Sequence, residues 1–153
     1  MLDVLTAILL AQAPGQPSCL TADPRVEELI AAKRQELHGA EYCDSRMYDT
    51  LSDFDGDRHD DFLVVFGIEG AEGHMGAVVQ FVAVFASGSQ WQPVVAEVGR
   101  RGQKIIQSII RGPGPTIRLE ALEYGPSDAM CCPTQRRVTS LALRRGRITP
   151  VKE

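Results

Sequence analysis

From Tyr42 to the end of the chain, apolar residues alternate with polar ones or gather in short runs, and clusters of Gly, Pro, Asp or Ser interrupt them about every eight to twelve residues. Such punctuation leaves no room for long helices. A period of two sends successive side chains to opposite faces of a strand, so this part of the chain predicts consecutive antiparallel strands. About seven are expected, at Ser45 to Leu51, Asp61 to Ile68, Ala77 to Ala86, Gln90 to Val98, Gln103 to Ile110, Thr116 to Tyr124 and Arg136 to Arg144. A tail from Arg147 to Val151 is a candidate eighth. The connections carry turn residues, Ser87-Gly88-Ser89, Gly99 to Gly102, Gly112-Pro113-Gly114-Pro115 and Arg145-Gly146. Short connections pair sequence neighbours in space, which predicts a meander curled into a sandwich or an open barrel.

One segment has the helical period. In residues 23 to 38, Val26, Leu29, Ile30 and Leu37 fall near one face. Asp23 suits the N-cap, Pro24 the first helical position, and Gly39 the stop after His38. The expected class is therefore α+β: one N-terminal helix packed on a mainly antiparallel β meander.

The chain has 153 residues, enough for one core and too few for two. Sixteen Lys and Arg against twenty Asp and Glu give a formal charge of −4 with no long basic run, which disfavours a nucleic-acid partner. The apolar stretch from Val4 to Ala11 is too short to span a bilayer and fits a secretory signal, with Ala11-Gln12-Ala13 as its cleavage site. Residues 1–13 are thus expected to be a signal peptide and residues 14–153 a single exported domain, periplasmic or secreted. Four cysteines, Cys19, Cys43, Cys131 and Cys132, predict two disulfides in an exported chain. Adjacent Cys131 and Cys132 would close a strained ring, so pairings that send each of them to Cys19 or Cys43 are favoured. Zinc is disfavoured, because no Cys-x-x-Cys pair occurs and the histidines are scattered at 38, 59 and 74.

The segment Asp53 to Asp61, DFDGDRHDD, carries the most specific chemistry. Asp53, Asp55, Asp57 and Asp61 stand at the first, third, fifth and ninth places, with the His59 carbonyl at the seventh, a spacing that lets a tight loop wrap oxygens round one hard cation. Calcium is the cation such a site prefers. The loop departs from the EF-hand pattern, with Arg58 in the sixth place where Gly is expected and Val64 in the twelfth where Glu belongs. The competing reading is a solvated acidic turn; against it, five carboxylates within nine residues repel unless a cation offsets them.

These residues resemble the calcium loops of FG-GAP and VCBS-type repeats, Asp-x-Asp-Gly-Asp-x-x-x-Asp ahead of an apolar strand. The resemblance covers one copy and implies Asp53, Asp55, Asp57 and Asp61 as side-chain ligands. More broadly, the chain resembles uncharacterised exported bacterial proteins that combine such a loop with a late segment like Glu123-Tyr124-Gly125-Pro126-Ser127-Asp128-Ala129-Met130-Cys131-Cys132-Pro133. That resemblance implies no activity.

Other candidates are weaker. Gly67, Gly70, Gly73 and Gly76 match neither a P-loop nor a dinucleotide fingerprint, and predict a hairpin loop. His74 could act as a base, yet no motif puts a nucleophile beside it. Glu120, Glu123 and Asp128 could join an acid/base pair, although sequence separation does not fix spatial separation. Arg100, Arg101 and Lys104, with Arg136, Arg137, Arg144, Arg145 and Arg147, read as solvated strand ends. Phe62, Phe66, Phe81, Phe85 and Trp91 read as core.

The expected function is an exported non-enzymatic module, stabilised by disulfides, that binds a protein or envelope partner and takes one calcium ion in the 53–61 loop. One alternative is a small periplasmic hydrolase whose carboxylates or His74 meet in a cleft between the glycine loop and the acidic loop. The other is an inhibitor or immunity-type binding protein with an exposed apolar or charged patch.

Overall fold

Helix α1 spans Pro24–Leu37 and starts as its sequence requires. Asp23 is the N-cap, its Oδ1 accepting the Arg25 backbone N–H at 2.9 Å, and Pro24 fills the first turn, where a missing N–H costs nothing. The helix ends at His38, which takes the left-handed conformation (φ 51°) while the Gly39 N–H returns to the Arg34 carbonyl. Gly39 was expected to supply that turn. It serves instead for close approach, since a Cβ there would lie 2.5 Å from the Glu69 carbonyl oxygen. These features come from a computed structural model, which describes residues 19, 23–51, 53–54, 57–74, 76–85, 92–111, 116–144 and 146–151. The expected signal peptide, Asp55, Gly56, Trp91 and the Gly112 to Pro115 turn lie outside the described residues.

Eight strands follow in one antiparallel sheet whose spatial order is the sequence order. They are β1 (Ala40–Leu51), β2 (Asp61–Glu69), β3 (Val78–Phe85), β4 (Val94–Arg100), β5 (Lys104–Ile110), β6 (Thr116–Glu123), β7 (Gln135–Arg144) and β8 (Arg147–Pro150). The tail is thus a true eighth strand, and β1 and β8 remain unclosed edges. The class is α+β, a helix on a β meander. β1 begins five residues earlier than its alternation suggests, because Ala40 to Tyr42 pair with Glu69 to Gly67 before the register slips between Tyr42 and Met47.

β4 and β5 are joined by the single pair Arg100↔Lys104, and there the sheet folds over, laying β1 against β5 and β4 against β8. Leu63, Val65, Val82, Val84, Val98, Ile106, Ile117, Leu119 and Leu141 meet between the halves. A second cluster lies on the outer face of β2 and β3, where Val26 and Ile30 of α1 pack on Val64, Phe66, Ile68, Val79, Phe81 and Phe85. Phe62 stacks on Phe85 and Phe66 on Phe81, at centroid distances of 4.8 and 5.4 Å. β2 and β3 therefore read as unbroken apolar runs because both their faces are covered. β6 alternates, with Ile117, Leu119 and Ala121 buried between the partly exposed Arg118 and Glu120.

Gln80 bridges the fold at the corner. On the inner face of β3 and 1% exposed, it accepts the Ile106 N–H at 2.7 Å, and its Nε2 donates to the Ile106 carbonyl at 3.1 Å and to Ser45 Oγ at 3.2 Å. Its amide thus serves both backbone groups of Ile106 beside the β5 bulge between Ile106 and Ser108.

The disulfides correct the sequence expectation. Cys19 pairs with Cys43, and Cys131 pairs with its neighbour Cys132. α1 turns directly back onto β1, which sets Cys19 beside Cys43, whereas Cys131 and Cys132 sit on the β6–β7 loop in the other half of the sheet. Arg46 completes the first tie: its buried guanidinium reaches the Cys19 carbonyl and pairs with Glu27 at 2.7 Å and Glu41 at 2.6 Å. The Cys19–Cys43 bond closes a separation of 24 residues, worth about 3.5 kcal/mol by chain entropy.

Candidate functional site

The acidic loop joins β1 to β2 and is anchored at both ends. Phe54, the lone apolar side chain in the run, is buried in the inner core, and its backbone N–H donates to Asp61 Oδ2 at 2.7 Å. Asp61, the first residue of β2, is only 1% exposed. Between these anchors Asp57 Oδ1 accepts the His59 N–H at 2.8 Å and lies 3.3 Å from His59 Nδ1. Arg58 takes φ 70°, the left-handed conformation that glycine adopts without cost. The residue that departs from the expected glycine thus still makes the turn.

Asp53, Asp57, Asp60 and the His59 ring project to solvent. Asp55, the remaining expected ligand, lies outside the described residues. The sequence reading missed Phe54; its signal is a single aromatic within an otherwise polar run, which anchors the loop by burial rather than by chemistry.

The glycine loop, the β4–β5 turn and the β6–β7 loop lie at the opposite end of the sheet, whereas Arg144 and Arg147 flank the β7–β8 turn at the acidic-loop end. Antiparallel connection puts the acidic loop and the glycine loop at the two ends of β2, about 27 Å apart for a strand of that length. Among the described residues the cleft expected between these two loops is therefore not formed, and His74 does not meet Asp53, Asp57, Asp60 or Asp61. Gly67 lies inside β2, paired with Tyr42 and close against the Ser45 side chain, while Gly70, Gly73 and Gly76 shape a short turn around the exposed His74. Arg101, on the β4–β5 turn, bridges this loop to the next by donating to the carbonyls of Gly76 and Met130. Gly76, Ala77, Arg101 and Met130 line an open concavity of about 270 Å³.

The late carboxylates are engaged singly. Glu120 takes Arg136 at 2.7 Å and Ser108 at 3.0 Å, and Glu123 lies 3.7 Å from Arg137. Asp128 ties the β6–β7 loop together by accepting the Gly125 and Thr134 N–H groups, both at 2.8 Å. The Gly125 bond, with those from Thr134, holds its carboxyl below the usual range against the opposing effect of burial. These contacts give each group a structural partner and assemble no acid/base couple among the described residues.

Cys19, Glu41 and Cys43 bring three ligand atoms within 4.8 Å of one another, a set that could hold a metal ion. Both sulfurs are bonded in the disulfide and the Glu41 carboxylate holds Arg46, so the set is closed in this oxidised form. Among the described residues no helix is long and apolar enough to cross a membrane. Comparison with protein-family models, with curated proteins and with solved structures finds no match to this chain.

Proposed function

We propose that this protein is an exported, non-enzymatic binding module of the kind that carries an acidic calcium loop, and that its 53–61 segment orders around one calcium ion. The observation that carries the reading is the buried carboxylate of Asp61 at the closing end of a loop with four further aspartates, folded back on itself through a left-handed Arg58. Hard cations favour such oxygen-rich turns, and gathering like charges at a strand end is unfavourable without a counter-charge. Asp53, Asp55, Asp57 and Asp61 supply the side-chain oxygens and His59 its carbonyl. The ion orders the loop and performs no chemistry. The partner meets the open edge strand β1, where Tyr42 and Tyr48 are exposed, since amphipathic aromatics serve as interface anchors.

Calcium titration by calorimetry tests this on the oxidised protein, with the Asp55→Ala and Asp57→Ala variants. The reading expects one saturable site, lost in both variants, at affinities down to the millimolar range of extracellular modules. Absence of binding at millimolar calcium, or binding that both variants keep, would reduce the loop to a turn.

A further inference from the structure

We infer that Cys131–Cys132 is a reversible redox site, opened by a dithiol reductant while the fold stays intact. The two residues are adjacent, with Cα atoms 3.8 Å apart, and both are exposed at the tip of the β6–β7 loop. A disulfide stabilises a fold by closing a loop of chain, and this one encloses no intervening residue. Cys19–Cys43, in contrast, spans 24 residues and staples the segment ahead of α1 to β1. One bond is a staple and the other is not.

The loop also holds its shape by other means. Asp128 clamps its two ends through Gly125 and Thr134, including the Thr134 hydroxyl at 3.0 Å. The Met130 carbonyl accepts from the Tyr124 hydroxyl at 2.9 Å and from Arg101 Nε at 3.4 Å, and the Cys132 N–H closes a turn onto the Ala129 carbonyl at 2.9 Å. None of these bonds uses a sulfur. The pair can therefore be reduced without dismantling the turn. Arg101 also holds the carbonyl directly before Cys131, which fixes the backbone at the pair without engaging either sulfur. Both cysteines are exposed, so a reductant thiol can reach them from solvent.

The exchange balances with a dithiol as co-reactant. A thiolate of the reductant attacks one sulfur of the pair and forms a mixed disulfide, and the other cysteine leaves as a thiolate that takes a proton. The second thiol of the reductant then closes its own disulfide and frees the first cysteine. Two electrons and two protons pass to Cys131 and Cys132, and the dithiol is oxidised to its disulfide.

Native protein is incubated with graded dithiothreitol, quenched with N-ethylmaleimide and mapped by peptide mass spectrometry. Cys131 and Cys132 are expected to label together, at reductant concentrations about tenfold or more below those that label Cys19 and Cys43. The melting temperature of this partly reduced protein should stay within a few degrees of the oxidised form, and air or oxidised glutathione should restore the bond. Labelling of Cys19 and Cys43 first, or of all four cysteines only together with unfolding, would overturn the inference. A Cys131→Ser/Cys132→Ser variant that melts far below the oxidised protein would overturn it equally, by showing that the bond is structural.

Discussion

Replacing Gln80 with leucine removes a side chain that serves both backbone groups of Ile106 across the folded corner, while nearly preserving volume. The Ile106 N–H and C=O lose partners at 2.7 and 3.1 Å inside the core, and Ser45 Oγ loses one at 3.2 Å. Each orphaned buried polar group costs about 1–3 kcal/mol, so the two backbone groups together imply a loss of about 3 kcal/mol after the extra apolar burial of leucine is set against it. That is a large share of the roughly 5–15 kcal/mol that holds a domain of this size. With a urea dependence of about 2 kcal/mol/M, the unfolding midpoint of Gln80→Leu should fall by about 1.5 M without a change in slope. A midpoint within about 0.3 M of the parent protein would show that β5 does not depend on the side chain of β3, and would refute this account of the corner. Gln80→Glu should also be destabilised at neutral pH, because a carboxylate cannot donate to the Ile106 carbonyl, and should recover in part on acidification.

Three further substitutions probe the loops and the helix seat. Arg58→Gly relieves a left-handed conformation costing about 1 kcal/mol and loses some of that to chain entropy; a net gain of about 0.5 kcal/mol is expected in thermal melts, and a loss would contradict the turn geometry. Arg46→Met leaves Glu41 without its buried cation and should cost about 3 kcal/mol in denaturant unfolding, whereas a neutral effect would place that pair outside the core. Asp128 has a depressed folded pKa, so its contribution is present above the unfolded value near 4 and is lost as pH falls through the folded one. The stability gap between the parent and Asp128→Asn should accordingly be constant from about pH 5 upward and narrow below about pH 4, which denaturation across pH would show.

What could be read in the sequence was local. The caps of α1, the period-two strands and the turns follow from residues within a few positions of one another, and they predict the class and the strand order. The contacts that organise the sites join distant residues. Gln80 looks like a misplaced polar residue in an apolar run until β5 is laid across it, and Phe54 looks like an exposed loop aromatic until the sheet folds over. Disulfide pairing depended on α1 folding back onto β1, so the geometric objection to adjacent cysteines, sound in isolation, pointed the wrong way. The acidic and glycine loops are neighbours in sequence, which suggests a shared cleft when the strand between them is ignored. β2 separates them by its full length.

The most direct test of the calcium reading is amide hydrogen exchange followed by mass spectrometry on the oxidised protein, with and without millimolar calcium and with magnesium as the control cation. The account predicts slower exchange in peptides covering residues 53–61 with calcium, little change with magnesium, and none at the glycine loop or the Cys131–Cys132 loop. Protection that appears instead around Cys19, Glu41 and Cys43, or nowhere in the chain, would contradict the assignment of the ion to the acidic loop.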